Sequence, residues 1–224
     1  MDETARKIYL AIDNNSDKEK SLEEIKTLVE EERGGDPRLV HYTPSEASKY
    51  GGRRPLAHAA MKGRDDVVGY LLDKHGADIE HRDAGLWTAL HFASCAGLGD
   101  NDSHPVVISL LQRGANPMAL NLFQRTPLIE AASDVTRPLT IGALLSNRCD
   151  AAYIDYPGSA GCTALWESCF RGNAINTRVL LSRGADYNFV SSQQTTPMEV
   201  AKLEGHDKCV AAIEAVALVA GKHK

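Results

Sequence analysis

Thr126-Pro127-Leu128-Ile129-Glu130-Ala131-Ala132 is the stretch on which the fold turns, because it returns in four other places along the chain. Its counterparts are Arg54-Pro55-Leu56-Ala57-His58-Ala59-Ala60, Thr88-Ala89-Leu90-His91-Phe92-Ala93, Thr163-Ala164-Leu165-Trp166-Glu167-Ser168 and Thr196-Pro197-Met198-Glu199-Val200-Ala201, with successive starts 34, 38, 37 and 33 residues apart. A second mark keeps step. Leu71-Leu72, Leu110-Leu111, Leu144-Leu145 and Leu180-Leu181 each precede a turn, and three of those turns read Gly76-Ala77-Asp78, Gly114-Ala115-Asn116 and Gly184-Ala185-Asp186. Two marks in register define a repeat of one supersecondary unit.

The residue types say what each unit builds. A threonine hydroxyl can accept from the open N–H groups of a first helical turn, and proline fits the next position because the N–H it lacks has no helical partner there. A helix therefore starts at each mark. Gly63, Gly97, Gly172 and Gly205 fall about nine residues later, where a left-handed residue ends the helix and reverses the chain. The leucine pairs, with neighbours such as Val67 and Val68, form an apolar stripe at helical spacing on a second helix. One unit alone cannot bury such a stripe, so the units must stack.

This helix–turn–helix unit with its T-P-L-H-x-A and G-A-D marks resembles the ankyrin repeat. The resemblance implies an all-α solenoid of about six helix–turn–helix units with projecting hairpin loops, in one slightly curved stack. The expected division is 1–49 as an N-terminal capping repeat, 50–82, 83–120, 121–154 and 155–190 as internal repeats, and 191–224 as a C-terminal capping repeat. At the front, Ala5 to Asp13 and Ser21 to Glu32 are expected as a helix pair, with Lys18, Glu19, Lys20, Glu23, Glu24, Glu30, Glu31 and Glu32 on its solvated face. At the back, Thr196 to Glu204 and His206 to about Ala220 give the last pair.

The sequence also departs from the family pattern. The motif histidine survives only as His91, with Ala57, Ile129, Trp166 and Glu199 in its place. The resemblance implies a structural role for that histidine, so its loss predicts looser loops between repeats, and Trp166 is expected as buried packing. The fourth unit has Val135 and Arg148-Cys149-Asp150 where turn glycines are expected, which marks it as the soft point. Extra residues fall at Leu98-Gly99-Asp100-Asn101-Asp102 and near Tyr156 to Gly161, and loop lengthening costs only logarithmically.

Composition narrows the function classes. Of 224 residues, 43% are apolar and 25% charged, which is too apolar for a disordered chain, and no run approaches the ~20 apolar residues of a membrane span. The formal charge of −5 leaves no excess of basic residues to track phosphates, so nucleic acid and membrane are not expected partners. No signal-like segment follows Met1, and the five cysteines form no C-x-x-C pair, which places the chain inside the cell, in the cytoplasm with the nucleus left open.

Catalytic readings fail on spacing. His91 and Cys95 share a helix face at i, i+4, but His91 sits at the structural motif position and Cys95 near the helix end. No Walker loop is present, Gly97-Leu98-Gly99 lacks the third glycine of a dinucleotide loop, and Asp100-Asn101-Asp102 lacks the spacing of a calcium loop. No cofactor, metal site or enzymatic activity is expected.

A binding role remains. The resemblance implies a protein partner held by hairpin tips and the ends of first helices along a concave face. Residue by residue, this gives Tyr50, Arg53, Met61 and Lys62, then Arg82 and Trp87 with Ala84 and Cys95, then Leu122, Phe123, Arg125 and Asp134 with Leu120 and Ser133, and finally Tyr156, Phe170 and Arg171 with Ile154 and Cys162. Trp, Tyr and Arg dominate interface hot spots. The bland reading is that Trp87, Phe123 and Phe170 shield hairpin roots or neighbouring helices. The apolar segment 209–220 offers a second role, self-association as an assembly subunit, and the basic Lys222 to Lys224 would suit that helix's C-terminal pole. The resemblance further implies Asn188, a hairpin asparagine, as a candidate for hydroxylation.

Overall fold

Pro55, Pro127 and Pro197 each open a helix, and Thr126, Thr163 and Thr196 each cap one by accepting from the third backbone N–H that follows. Thr196 and Glu199 complete a reciprocal capping box. Arg54, standing where the other units have threonine, makes no side-chain cap. The computed structural model describes residues 2–14, 17–30, 53–95, 104–134, 138–148 and 150–221.

The helices are α1 (Asp2–Asp13), α2 (Lys18–Glu30), α3 (Pro55–Met61), α4 (Asp65–His75), α5 (Ala89–Ser94), α6 (His104–Gln112), α7 (Pro127–Ala132), α8 (Pro138–Asn147), α9 (Ala151–Ile154), α10 (Ala164–Phe170), α11 (Ala174–Ser182), α12 (Pro197–Leu203) and α13 (Asp207–Gly221). A 3₁₀ turn covers Ser159–Gly161. No strand occurs among the described residues. The described residues are all-α, a succession of helix pairs.

The chain divides into two compact units, 1–93 with 98–116 and 94–97 with 117–224. In the first, α1 packs on α2 and α3, α3 on α4, and α4 on α6. In the second, the first helices of successive repeats, α7, α10 and α12, pack side by side, while α8, α11 and α13 form the second row. The leucine pairs and their neighbours supply the core between rows: Val67, Val68 and Leu71 on α4, Val106, Val107 and Leu110 on α6, Leu144 and Leu145 on α8, Leu180 on α11.

The first helices from α3 onward are only six or seven residues long, too short to hold together without neighbours. The last carbonyls of any helix need partners, and the residue just after each left-handed turn reaches some in the preceding repeat. Arg64, which follows Gly63, is wholly buried; its guanidinium donates to Ala11 O and Ile12 O at 3.5 Å, Asn14 O at 3.4 Å and Lys18 O at 3.2 Å, and forks onto Asp66 at 2.9 and 2.6 Å. Asn173, which follows Gly172, donates to Asp134 O, and Asn176 adds bonds to the same carbonyl at 2.6 Å and to Ala131 O at 3.4 Å. His206, which follows Gly205, reaches Phe170 O at 3.2 Å. Gly172 serves twice here: its φ is +70°, and a Cβ on it would lie 2.6 Å from His206 Nδ1.

Several expectations meet a different outcome. The position of Trp166 is buried as expected, but the repeat-to-repeat link is not lost, because its Nε1–H donates to Thr195 Oγ1 at 3.0 Å. In the fourth unit, Asp150 caps a one-turn helix, α9, which buries Tyr153 and Ile154. Ile154 is therefore core rather than a surface position, which corrects its place in the expected strip. Tyr50, Gly97, the insertion at 98–102, Val135, Cys149 and Lys222 to Lys224 lie outside the described residues.

Replacing Arg64 by Met would leave four carbonyls and the Asp66 carboxylate without their buried donor. We expect a loss of roughly 2–3 kcal/mol of stability, read from the urea midpoint of the full chain; an unchanged midpoint would show that the carbonyls find other partners.

Candidate partner-binding surface

In the second unit the hairpin of residues 121–125 is built around one buried side chain. Asn121 accepts Phe123 N–H at 3.0 Å and Arg125 N–H at 3.1 Å on its Oδ1, while its Nδ2 donates to Glu130 Oε1 on α7 at 2.8 Å. The ladder closes with Asn121 N–H donating to Arg125 O at 3.2 Å and Gln124 N–H to Asn121 O at 2.9 Å. Gln124 takes φ +53°, a left-handed conformation that is strained for a side chain with a Cβ. The tip is thereby held as a rigid turn, and it carries Leu122 and Phe123, 59% and 62% exposed. The matching tip positions in the other hairpins are Ala84-Gly85, Ser159-Ala160 and Ser192-Gln193.

Behind the tip lies a charged cluster. Glu130 and Glu167 stand at the same register, four residues after Thr126 and Thr163, on the adjacent helices α7 and α10. Both are nearly buried. Arg125 joins them, its Nε 3.1 Å from Glu130 Oε1 and its Nη2 3.3 Å from Glu167 Oε1, and Arg171 Nε donates to Glu167 Oε1 at 3.1 Å. Burial pushes the Glu130 carboxyl above its ordinary range, against the lowering pull of Arg125 and Asn121. Arg171 also lies over the Phe170 ring, 5.4 Å from its centroid, and Phe170 stacks on Trp166 at 5.3 Å and 15°. The stack leaves Arg171 exposed.

The expected residues of this unit thus fall into places of different kinds. Leu122, Phe123, Arg125, Phe170 and Arg171 belong to the tip and the cluster behind it. Asp134 lies just past α7 and serves as a backbone acceptor for Asn173 and Asn176, and Tyr156 follows α9 half-buried. Asn188 is exposed in the last hairpin, its N–H donating to Asp186 Oδ1 at 2.8 Å. Asn121, Glu130 and Glu167 were not among the expected site residues, although glutamate at one register of two successive repeats was a visible signal.

The first unit carries its own set. Arg53 lies over Phe92 at 5.3 Å and accepts on its backbone carbonyl from Tyr9 OH. Trp87 is half-buried against Phe92 and His91, its ring centroid 5.2 and 5.7 Å from theirs. Met61 ends α3, and Arg82 is exposed. Lys62 pairs with Asp13 at 3.2 Å, sharing it with the buried His58 at 2.8 Å. Burial holds the His58 pKa below that of a free histidine despite Asp13. His91 Nδ1 lies 2.9 Å from Thr88 Oγ1, a link within its own repeat.

The family model for ankyrin repeats (3 copies) matches residues 8–121, half of the chain, beginning within α1. The chain belongs to the ankyrin-repeat family. Ankyrin repeats mediate protein–protein interactions, and the family is generally non-enzymatic. Among its relatives, the Caenorhabditis elegans ankyrin repeat and KH domain-containing protein mask-1 is 31% identical over 156 residues, 69% of this chain and 6% of that protein. BCL-6 corepressor-like protein 1 is 44% identical over 69 residues in Mus musculus and 34% over 121 residues in Homo sapiens, covering 31% and 50% of this chain and 4% and 6% of theirs. The ankyrin-repeat chain thus spans a small fraction of the length of these relatives. Among its described residues, no helix is long and apolar enough to cross a membrane.

The raised Glu130 pKa has a defined sign. Between a free glutamate's ordinary 4.5 and the higher folded value, the folded state binds more protons than the unfolded one, so this group's stabilising contribution is lost as pH rises through that window. We expect Glu130→Gln to gain on the wild type as pH rises through it, measured as the difference in urea unfolding free energy across a pH series; a constant difference would show that the carboxyl titrates normally.

Proposed function

We propose that this chain is a non-enzymatic adaptor that holds a partner protein on the hairpin tips and first-helix ends, with Leu122 and Phe123 as its anchor in the second unit. The observation that carries the reading is the apolar tip itself. Two large side chains stand about 60% exposed on a turn whose backbone is fixed through Asn121, so they can enter a pocket on a partner without the entropy loss of ordering a mobile loop. The stacked Arg171 and Phe170 supply the residue types that interface hot spots favour. In the first unit, Arg53, Met61, Arg82 and Trp87 are proposed as contacts of the same kind; Tyr50 stays with them on sequence grounds. No catalytic group, cofactor or metal enters this reading.

A second reading, self-association, rests on the last helix. Leu218 and Val219 are 67% and 59% exposed on α13, and an open groove between α11 and α13, of about 410 Å³, is lined by Leu181, Ala211, Ala212, Ala215 and Val216. In this reading the second copy covers that face.

The adaptor reading is tested by capturing partners on the immobilised full chain and on its Leu122→Ala/Phe123→Ala variant, after circular dichroism has matched the two. We expect the captured partner to bind the variant weaker by about 2 kcal/mol, roughly thirtyfold; equal affinity removes the tip from the interface. The second reading predicts a light-scattering mass above that of one chain, returning to one chain in Leu218→Glu/Val219→Glu. A wild type that stays monomeric at every concentration ends it.

A further inference from the structure

Two cysteines outside the partner-binding surface meet in the core of the second unit. Cys169 lies in the last turn of α10 and Cys209 in the first turn of α13, and both are fully buried. The Thr177 hydroxyl of α11 touches both: it lies 3.8 Å from Cys169 Sγ and 3.6 Å from Cys209 Sγ. Ser168 Oγ at 3.0 Å and Asn173 O at 2.9 Å surround the same hydroxyl. The neighbouring Cys169 thiol holds Cys209 below the usual thiol range, with Thr177, His206 and Arg178 acting in the same direction. The Cys209 sulfur, together with burial, pushes Cys169 up. One sulfur is therefore favoured as thiolate while its neighbour keeps a proton, the division of labour between an attacking and a resolving cysteine.

We propose that Cys169 and Cys209 are a peroxide-responsive thiol pair that closes to a disulfide and fastens α13 to α10. In the first step the Cys209 thiolate attacks one peroxide oxygen, the O–O bond breaks, and the departing hydroxide takes a proton and leaves as water. Cys209 is then a sulfenic acid. In the second step the Cys169 sulfur attacks Cys209 Sγ, the S–O bond breaks, and the oxygen leaves as a second water with the Cys169 proton. The sulfur pair loses two electrons and the peroxide gains them.

Neither cysteine lines the open groove between α11 and α13. The groove there includes Ala212, one turn beyond Cys209, and Arg178, the neighbour of Thr177. A small oxidant at that groove needs a local opening of α13 rather than global unfolding. The product joins two neighbouring repeats by a bond instead of side-chain contacts alone, and closing this loop restricts the unfolded chain.

The test uses the full wild-type chain, reduced, desalted and exposed to hydrogen peroxide, then denatured, alkylated and mapped without reduction. We expect the chain to lose the mass of two hydrogens, to yield a cross-linked peptide joining Cys169 to Cys209, and to recover both thiols with dithiothreitol. Thermal unfolding of the oxidised form is expected to move up. Recovery of Cys169 and Cys209 as alkylated thiols, with oxidation confined to Cys95, Cys149 or Cys162, overturns the proposal. In Cys169→Ser, folded by circular dichroism, Cys209 is expected to be trapped by dimedone as the sulfenic acid; a folded variant without that adduct removes Cys209 as the attacking group.

Discussion

Helix ends leave carbonyls open, and in this protein the next repeat closes several of them. Arg64, Asn173 and His206 occupy one register, the position after a left-handed glycine, and each reaches back to the end of the preceding repeat's first helix. Arg64 meets the twelve-residue α1, whereas α7 and α10, of six and seven residues, have few internal hydrogen bonds and borrow stability from this contact and from the side-by-side packing of α7, α10 and α12. The three side chains differ in chemistry but meet the same need. Arg64 does most, because its five N–H groups can serve four carbonyls and one carboxylate from a single buried position.

The second constraint is electrostatic. The fourth residue after each helix start is His58, Phe92, Glu130, Glu167 or Val200, so one structural position carries a base, two acids and two apolar groups in different repeats. Each ionisable one is met by a charge of opposite sign or a hydrogen bond: Asp13 for His58, Arg125 and Asn121 for Glu130, Arg125 and Arg171 for Glu167. Buried pairs of this kind add little net stability, since desolvation offsets much of the attraction. Their effect is directional. Arg125 can satisfy Glu130 and Glu167 together only when α7 and α10 sit in one alignment, and Asn121 then fixes the hairpin to that same framework.

Function grows from that fixation. The tip at Leu122 and Phe123 is exposed and apolar, yet its turn is anchored through Asn121 to a carboxylate in the helix row. A flexible loop with the same residues would lose more entropy on binding. Cys169 on α10 and Cys209 on α13 share the Thr177 hydroxyl of α11, so a covalent link there would act on the packing of the last repeat.

The sequence by itself determined the period, the helix starts, the left-handed turns at Gly63, Gly172 and Gly205, and the ankyrin-repeat class, because caps and apolar stripes are local and depend on residues within one unit. It also held the surface residues Leu122, Phe123 and Arg171 through their register. Only the tertiary structure decided that Ile154 is buried on a short helix capped by Asp150, that Trp166 keeps a link to the next hairpin, and that Asn121, Glu130 and Glu167 form the support of the tip. Those outcomes depend on pairs separated along the chain: Arg125 from Glu167, Trp166 from Thr195, Arg64 from Ala11. Which side chain meets which carbonyl or carboxylate is set by the stacking of one repeat on the next, and a local pattern carries no information about the partner across that stack.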